Sequence, residues 1–129
     1  MKKHTAGRDD LGDFAPEFAR FNDDVLFGEV WSREEKLSLK ERSMITIAAL
    51  MAQGSYPQVK RHLEMGKENG ITKDEAIEIV TQLAFYTGWP RAWTVFPMIK
   101  EVFEEEWASK YNFIERGKYW LGKKKHNTQ

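Results

Sequence analysis
Residues 39–90 read LKERSMITIAALMAQGSYPQVKRHLEMGKENGITKDEAIEIVTQLAFYTGWP, and the fold follows from how this run divides. In its first third, Met44, Ile45, Ile47, Ala48, Ala49, Leu50, Met51 and Ala52 leave no continuous polar face. A helix that is apolar nearly all round is expected to be central. Gln53-Gly54 ends it, because glycine accepts the left-handed conformation past a helix terminus, and Ser55 with Pro57 opens the next helix. So short a reversal lays the two helices side by side.

The second helix, about residues 57–69, carries Val59, His62, Leu63 and Gly66 at the three- and four-residue spacing of one face, so His62 is predicted to point inward. A lone inward histidine reads either as a satisfied structural side chain or as a group that titrates near neutrality. Asn69-Gly70 closes this helix. Thr72 followed by Glu75 is a reciprocal capping box for the third, which is expected to bury Ala76, Ile77, Val80, Leu83 and Ala84 and to stop at Gly88-Trp89-Pro90.

These pieces carry a resemblance. Arg42-Ser43-x-Ile45-Thr46-Ile47-Ala48, His62-Leu63, Asn69-Gly70-Ile71-Thr72-x-x-Glu75 and Gln82-x-Ala84-x-Tyr86-x-Gly88-Trp89-Pro90, in this order and spacing, resemble the carboxymuconolactone decarboxylase family within the alkylhydroperoxidase D-like group. Upstream, Phe27-Gly28-Glu29-Val30-Trp31-Ser32-Arg33 is similar to the family's entry motif, and the match runs in register over about residues 22–103. The resemblance implies an all-helical subunit assembled into homotrimers or homohexamers, with the site between helices near a subunit boundary. It implies a cofactor-free lyase of aromatic catabolism that removes carbon dioxide from a carboxylated lactone or similar small organic acid. The peroxidase branch of the group uses a Cys-x-x-Cys pair before the histidine; Ser55 and Gln58 stand there in this chain.

Carried onto this sequence, the resemblance makes His62 the proton donor or shuttle and Glu29 its orienting or partner acid. Arg42, Thr46, Trp31 and Arg91 become the candidates for holding the substrate carboxylate, Arg42 with better motif support than Arg91. Read without the resemblance, Glu29 between Phe27, Val30 and Trp31 is either a partly desolvated carboxyl or an ordinary exposed loop acid. Trp93 stands where the family pattern often has asparagine, and Pro97 where it commonly has none, so side chains near the implied pocket differ from the pattern.

Composition bounds the alternatives. A chain of 129 residues makes one domain, small enough that further burial through oligomerisation would help. Twenty basic and twenty acidic residues argue against a general nucleic-acid binder. With no cysteine there is no disulfide framework, thiolate metal site or direct thiol peroxidase chemistry. There is no Gly-rich phosphate loop, His-x-x-x-His pair or Gly-x-Ser-x-Gly elbow, and His4 and His126 lie in terminal segments, so no metal site is expected. No apolar run reaches the roughly 18 residues of a membrane span and the first residues are polar, which makes the cytoplasm the expected compartment and a membrane an unexpected partner.

Toward the ends the expectations are these. Residues 1–12 fray. Phe14, Phe18, Phe21 and Val25 mark an amphipathic helix ended by Gly28, and residues 29–38 form a loop carrying Trp31. After Pro90 a helical stripe of Ala92, Val95, Phe96, Ile99, Val102 and Phe103 is kinked or broken near Phe96 by Pro97. Its acidic end, Glu101, Glu104, Glu105 and Glu106, calls for basic groups nearby. Residues 1–107 form the helical domain and 108–129 a basic aromatic arm, whose six Lys or Arg against one Glu give it +5 and leave −5 on the rest. Its Phe113 and Trp120 favour a packing arm over a nucleic-acid contact.

The predicted fold is therefore all-α, a compact bundle of about five main helices with a C-terminal arm. The predicted function is acid/base decarboxylation, with a non-catalytic small-molecule-binding or assembly module on the same scaffold as its rival.

Overall fold
The computed structural model describes residues 3–104, in which every regular element is helical. Four long helices form the core: α3 (Leu39–Gln53), α4 (Tyr56–Glu68), α5 (Lys73–Thr87) and α6 (Trp89–Phe103), preceded by α1 (Ala6–Leu11), α2 (Pro16–Arg20) and a π-helical segment, Phe21–Val30. Counting Pro16–Val30 as one winding stretch gives the five main helices of the sequence reading, with α1 in addition.

Local chemistry sets the boundaries of the core helices. At the start of α3 the Ser38 hydroxyl accepts from the Glu41 amide at 3.0 Å, and the Glu41 carboxylate accepts from the Ser38 amide at 3.3 Å. Thr72 and Glu75 make the same box at α5, at 3.1 and 2.9 Å. Each satisfies donors that a helix start otherwise leaves without partners. Gly54, at φ 75°, ends α3 in the left-handed region, so α4 folds straight back along it.

Packing then joins the four. α4 lies against both α3 and α6, and α5 against α6 and α3. Ile47 and Met51 of α3, Val59 and Leu63 of α4, Val80 and Ala84 of α5, and Val95 and Ile99 of α6 share one buried cluster. Each large aliphatic side chain so buried contributes about 1.5–3 kcal/mol. At the α3–α4 crossing the fully buried Ser43 hydroxyl accepts from the Asn69 amide at 3.0 Å, opposite Gly66, where a Cβ would lie 2.8 Å from the Ile71 Cδ1. The pairing of Ser43 with Gly66 thus lets the two helices approach closely.

Several expectations are corrected. Within one chain α3 turns Ser43, Ile47 and Met51 inward but leaves Ile45 exposed, because neighbours cover one of its faces only. Ile77 of α5 also stays partly exposed. α6 runs unbroken through Pro97, which sits on the solvent side while Ala92, Val95, Ile99 and Val102 face the core; their burial offsets the lost backbone bond. Among the described residues, Lys60 of α4 pairs with Glu101 at 2.8 Å and Lys67 donates to the Val102 carbonyl at 3.1 Å; whether the C-terminal arm adds to them lies outside those residues.

The largest correction is at the N-terminus. Residues 6–11 are helical because Asp23, 3% exposed, accepts from the amides of Gly7 and Arg8 at 2.8 and 2.9 Å. Burial pushes the Asp23 carboxyl up, but hydrogen bonds from Asn22 and the two amides, with the Arg8 charge, outweigh it and hold the group below its ordinary range. Gly28 does not end the preceding helix, since the π-helical winding continues to Val30 and takes in Glu29. Where bonds skip to the fifth residue, the 3.6-residue stripe no longer defines the inner face. Ala19, Asp23, Phe27 and Trp31 turn in, and Phe14, Phe18 and Phe21 stay exposed. Among the described residues no helix is long and apolar enough to cross a membrane. The C-terminal arm, residues 108–129, lies outside the described residues.

Candidate functional site
The site is built where the N-terminal unit meets α4. Because the π-helical segment carries its last bond from the Trp31 amide to the Leu26 carbonyl, at 2.9 Å, the Trp31 indole is turned under the segment instead of out on a loop. It stacks on the His62 imidazole, with ring centres 5.9 Å apart and planes 28° from parallel. Phe27 packs against Trp31 at 5.5 Å, tilted by 33°, and His4 stacks on Phe27 at 3.8 Å and 13°. Four rings from three separated parts of the chain form one column.

His62 is half-buried on the inward side of α4, beside the buried Val59 and Leu63. Its Nδ1 is buried and has no hydrogen-bond partner among the described residues. A buried polar atom left so costs about 1–3 kcal/mol, and native folds keep few of them. Burial pushes the imidazole below its ordinary value of 6.5, and the charges of Arg61 and His4 push the same way. Both effects favour the uncharged ring at neutral pH.

The other candidates are placed less closely. Trp31, at 5% exposure, touches His62 by its ring face and fixes that ring. Glu29 is exposed near the end of the π-helical segment, and among the described residues no hydrogen bond or ion pair joins it to His62. Arg42 donates from Nε to the Leu37 carbonyl at 3.1 Å and from Nη2 to the Arg33 carbonyl at 2.9 Å, which ties the connection before α3 to the helix. The Thr46 hydroxyl donates to the Arg42 carbonyl at 2.7 Å. Arg91 lies across the α3–α4 turn, its Nη1 at 3.4 Å from the Tyr56 hydroxyl and 2.5 Å from where a Cβ on Gly54 would sit. Among the candidates, Trp31 and His62 thus meet ring to ring, while Thr46 meets Arg42 only at its backbone carbonyl. No group of three or more metal-ligating side chains is gathered among the described residues.

His4 and Phe27 complete the column, and reasoning from sequence passed over the first. Phe27 carried a signal, since it opens the motif that holds Trp31. His4 carried none, because its contact depends on the Asp23 clamp, which is set 16 residues beyond Gly7.

Comparison with known proteins identifies the family. The sequence profile of the carboxymuconolactone decarboxylase family matches residues 16–101, from the start of α2 to near the end of α6. The chain is 37% identical over 97 residues to the 4-carboxymuconolactone decarboxylase of Acinetobacter baylyi, a match covering 75% of this chain and 72% of that protein. It is 29% identical over 85 residues to an uncharacterized 15.0 kDa protein of Paracoccus denitrificans, covering 64% of this chain and 63% of that one. With the family profile spanning the whole helical core and the histidine helix within it, the chain belongs to the carboxymuconolactone decarboxylase family.

Proposed function
We propose that this protein is a decarboxylase that removes carbon dioxide from a carboxylated lactone or a similar small organic acid, with His62 as its proton-transfer group. The observation that carries the reading is the His62 ring itself: clamped by Trp31, half-buried, and with a buried Nδ1 that nothing in the described chain engages. In the reaction the C–C bond to the carboxylate breaks, its electron pair passes into the unsaturated lactone, carbon dioxide leaves, and carbon takes up one proton. Protonated His62 gives that proton and is reloaded from solvent. Its lowered affinity for a proton makes the imidazolium the stronger acid, and a bound carboxylate favours the charged ring at the moment it is needed.

Glu29, Arg42, Thr46 and Arg91 remain candidates for orienting the ring or holding the carboxylate. Glu29 and Arg91 have the more available positions, Glu29 by its exposure and Arg91 by its single long bond to Tyr56. The same reading includes a homotrimer or homohexamer, supported by the aromatic surface that a single chain leaves uncovered: Phe14, Phe85, Tyr86 and Trp93 are each more than 70% exposed.

The test is carbon dioxide release by the purified protein from a panel of carboxylated lactones that includes 4-carboxymuconolactone. Catalysed release from at least one of them is expected. Binding without release across the panel would instead favour a non-catalytic small-molecule-binding module.

A further inference from the structure
We infer that His4 is a positioning residue of this site, delivered by the Asp23 clamp to the outer end of a ring column whose inner end is His62. Three observations carry the inference independently of the reaction. First, α1 is anchored by a buried group: Asp23 accepts both the Gly7 and Arg8 amides, and Arg8 in turn forks onto Asp24 with two 2.8 Å bonds. Second, the anchor has been cleared sterically, since a Cβ at Gly7 would lie 2.7 Å from the Asp23 Oδ1 and 2.8 Å from the Ala19 carbonyl oxygen. Third, the residue three positions before that anchor is a half-buried imidazole stacked flat on Phe27 at 3.8 Å, the closest ring contact of the column.

Such a column transmits in two ways. Offset and tilted stacks restrict ring motion, so His4 limits the freedom of Phe27, Phe27 that of Trp31, and Trp31 that of the catalytic imidazole. When His4 and His62 both carry protons they repel, and His4 is one of the two charges that press His62 toward its neutral form, the other being Arg61 of α4. His4 lies outside residues 16–101, the stretch that the family profile matches. The inference takes the role of His62 from the proposed function, but its test needs no substrate.

The experiment is an NMR titration of the His62 ring in the full chain, for the parent, His4→Phe and His4→Ala. His4→Phe keeps a ring on Phe27 without a charge, and His4→Ala removes both. With His4→Phe the His62 ring shifts are expected to match the parent's while the titration midpoint rises by about 0.2–0.5 pH, the size of a screened interaction between two charges. With His4→Ala the midpoint is expected to rise too, and the His62 ring and Trp31 indole resonances to move from the parent's positions. A His62 midpoint and ring shifts in His4→Ala that coincide with the parent's would overturn the inference. Failure of the decarboxylase reading would show elsewhere, in the carbon dioxide assay, and would leave these titrations unaffected.

Discussion

At the scale of single residues the protein turns on two polar groups that lose water on folding. His62 is one and Asp23 the other, and they are resolved in opposite ways. Asp23 is buried but given two amides, a neighbouring amide side chain and an arginine, and so stays charged and structural. His62 is half-buried with no partner at Nδ1 among the described residues, and burial favours its neutral form. Its folded value lies below 6.5, so between that value and 6.5 the unfolded chain binds more protons. The contribution is fully present above 6.5 and is lost as pH falls from 6.5 through the folded value. Urea unfolding at pH 7.5 and pH 5.5 should accordingly show a larger loss of stability for the parent than for His62→Gln. Equal losses would mean that His62 titrates alike in the folded and unfolded chain. That His62 points inward was legible from the face it shares with Val59, Leu63 and Gly66. The ring that clamps it was legible only as a motif member, because a stack between residues 31 apart in sequence leaves no local trace.

Elements were legible in proportion to how local their causes are. The capping box of Thr72 with Glu75, the left-handed Gly54 and the proline that opens α6 act within a few residues, and all three stand where the sequence places them. The N-terminal third failed for the opposite reason. Its inner face is set by π-helical winding and by a carboxylate that caps a helix 16 residues upstream, and neither follows from apolar spacing. Pro97 shows a third case, in which tertiary burial overrides a breaker. The clamp on α1 leads to a prediction at this scale. Gly7→Ala places a methyl against the Asp23 carboxylate and the Ala19 carbonyl, the second of which is backbone and cannot swing aside. The variant should lose about 1–3 kcal/mol in denaturant unfolding, the usual cost of overpacking a tight site. It should also expose the Gly7 and Arg8 amides to faster hydrogen exchange. Unchanged protection of those amides would show that α1 does not depend on the clamp.

At the scale of the whole molecule, a four-helix core is combined, among the described residues, with several large aromatic side chains left exposed. The core cluster accounts for the inner faces of α3 to α6, yet Phe85, Tyr86, Trp89 and Trp93 line the turn from α5 into α6 in the open, with Phe85 and Trp89 edge to face at 5.4 Å. Phe14 and Phe18 do the same at the N-terminal unit. A chain of 15.1 kDa with this surface is expected to assemble, and light scattering at micromolar concentration should give the mass of a trimer or a hexamer. A monomer mass would remove assembly from the account. The assembly also supplies the control for the chemistry, because a histidine that serves structure alone would be lost together with the oligomer. The most direct test of the central claim is therefore the steady-state turnover of 4-carboxymuconolactone, or of the best substrate in the panel, by His62→Gln and by the parent, on samples matched for mass and melting temperature. The account predicts a fall of about 10² to 10⁴ in turnover, the worth of a positioned proton-transfer group. Full turnover by a folded, assembled His62→Gln would contradict it and return His62 to a structural role.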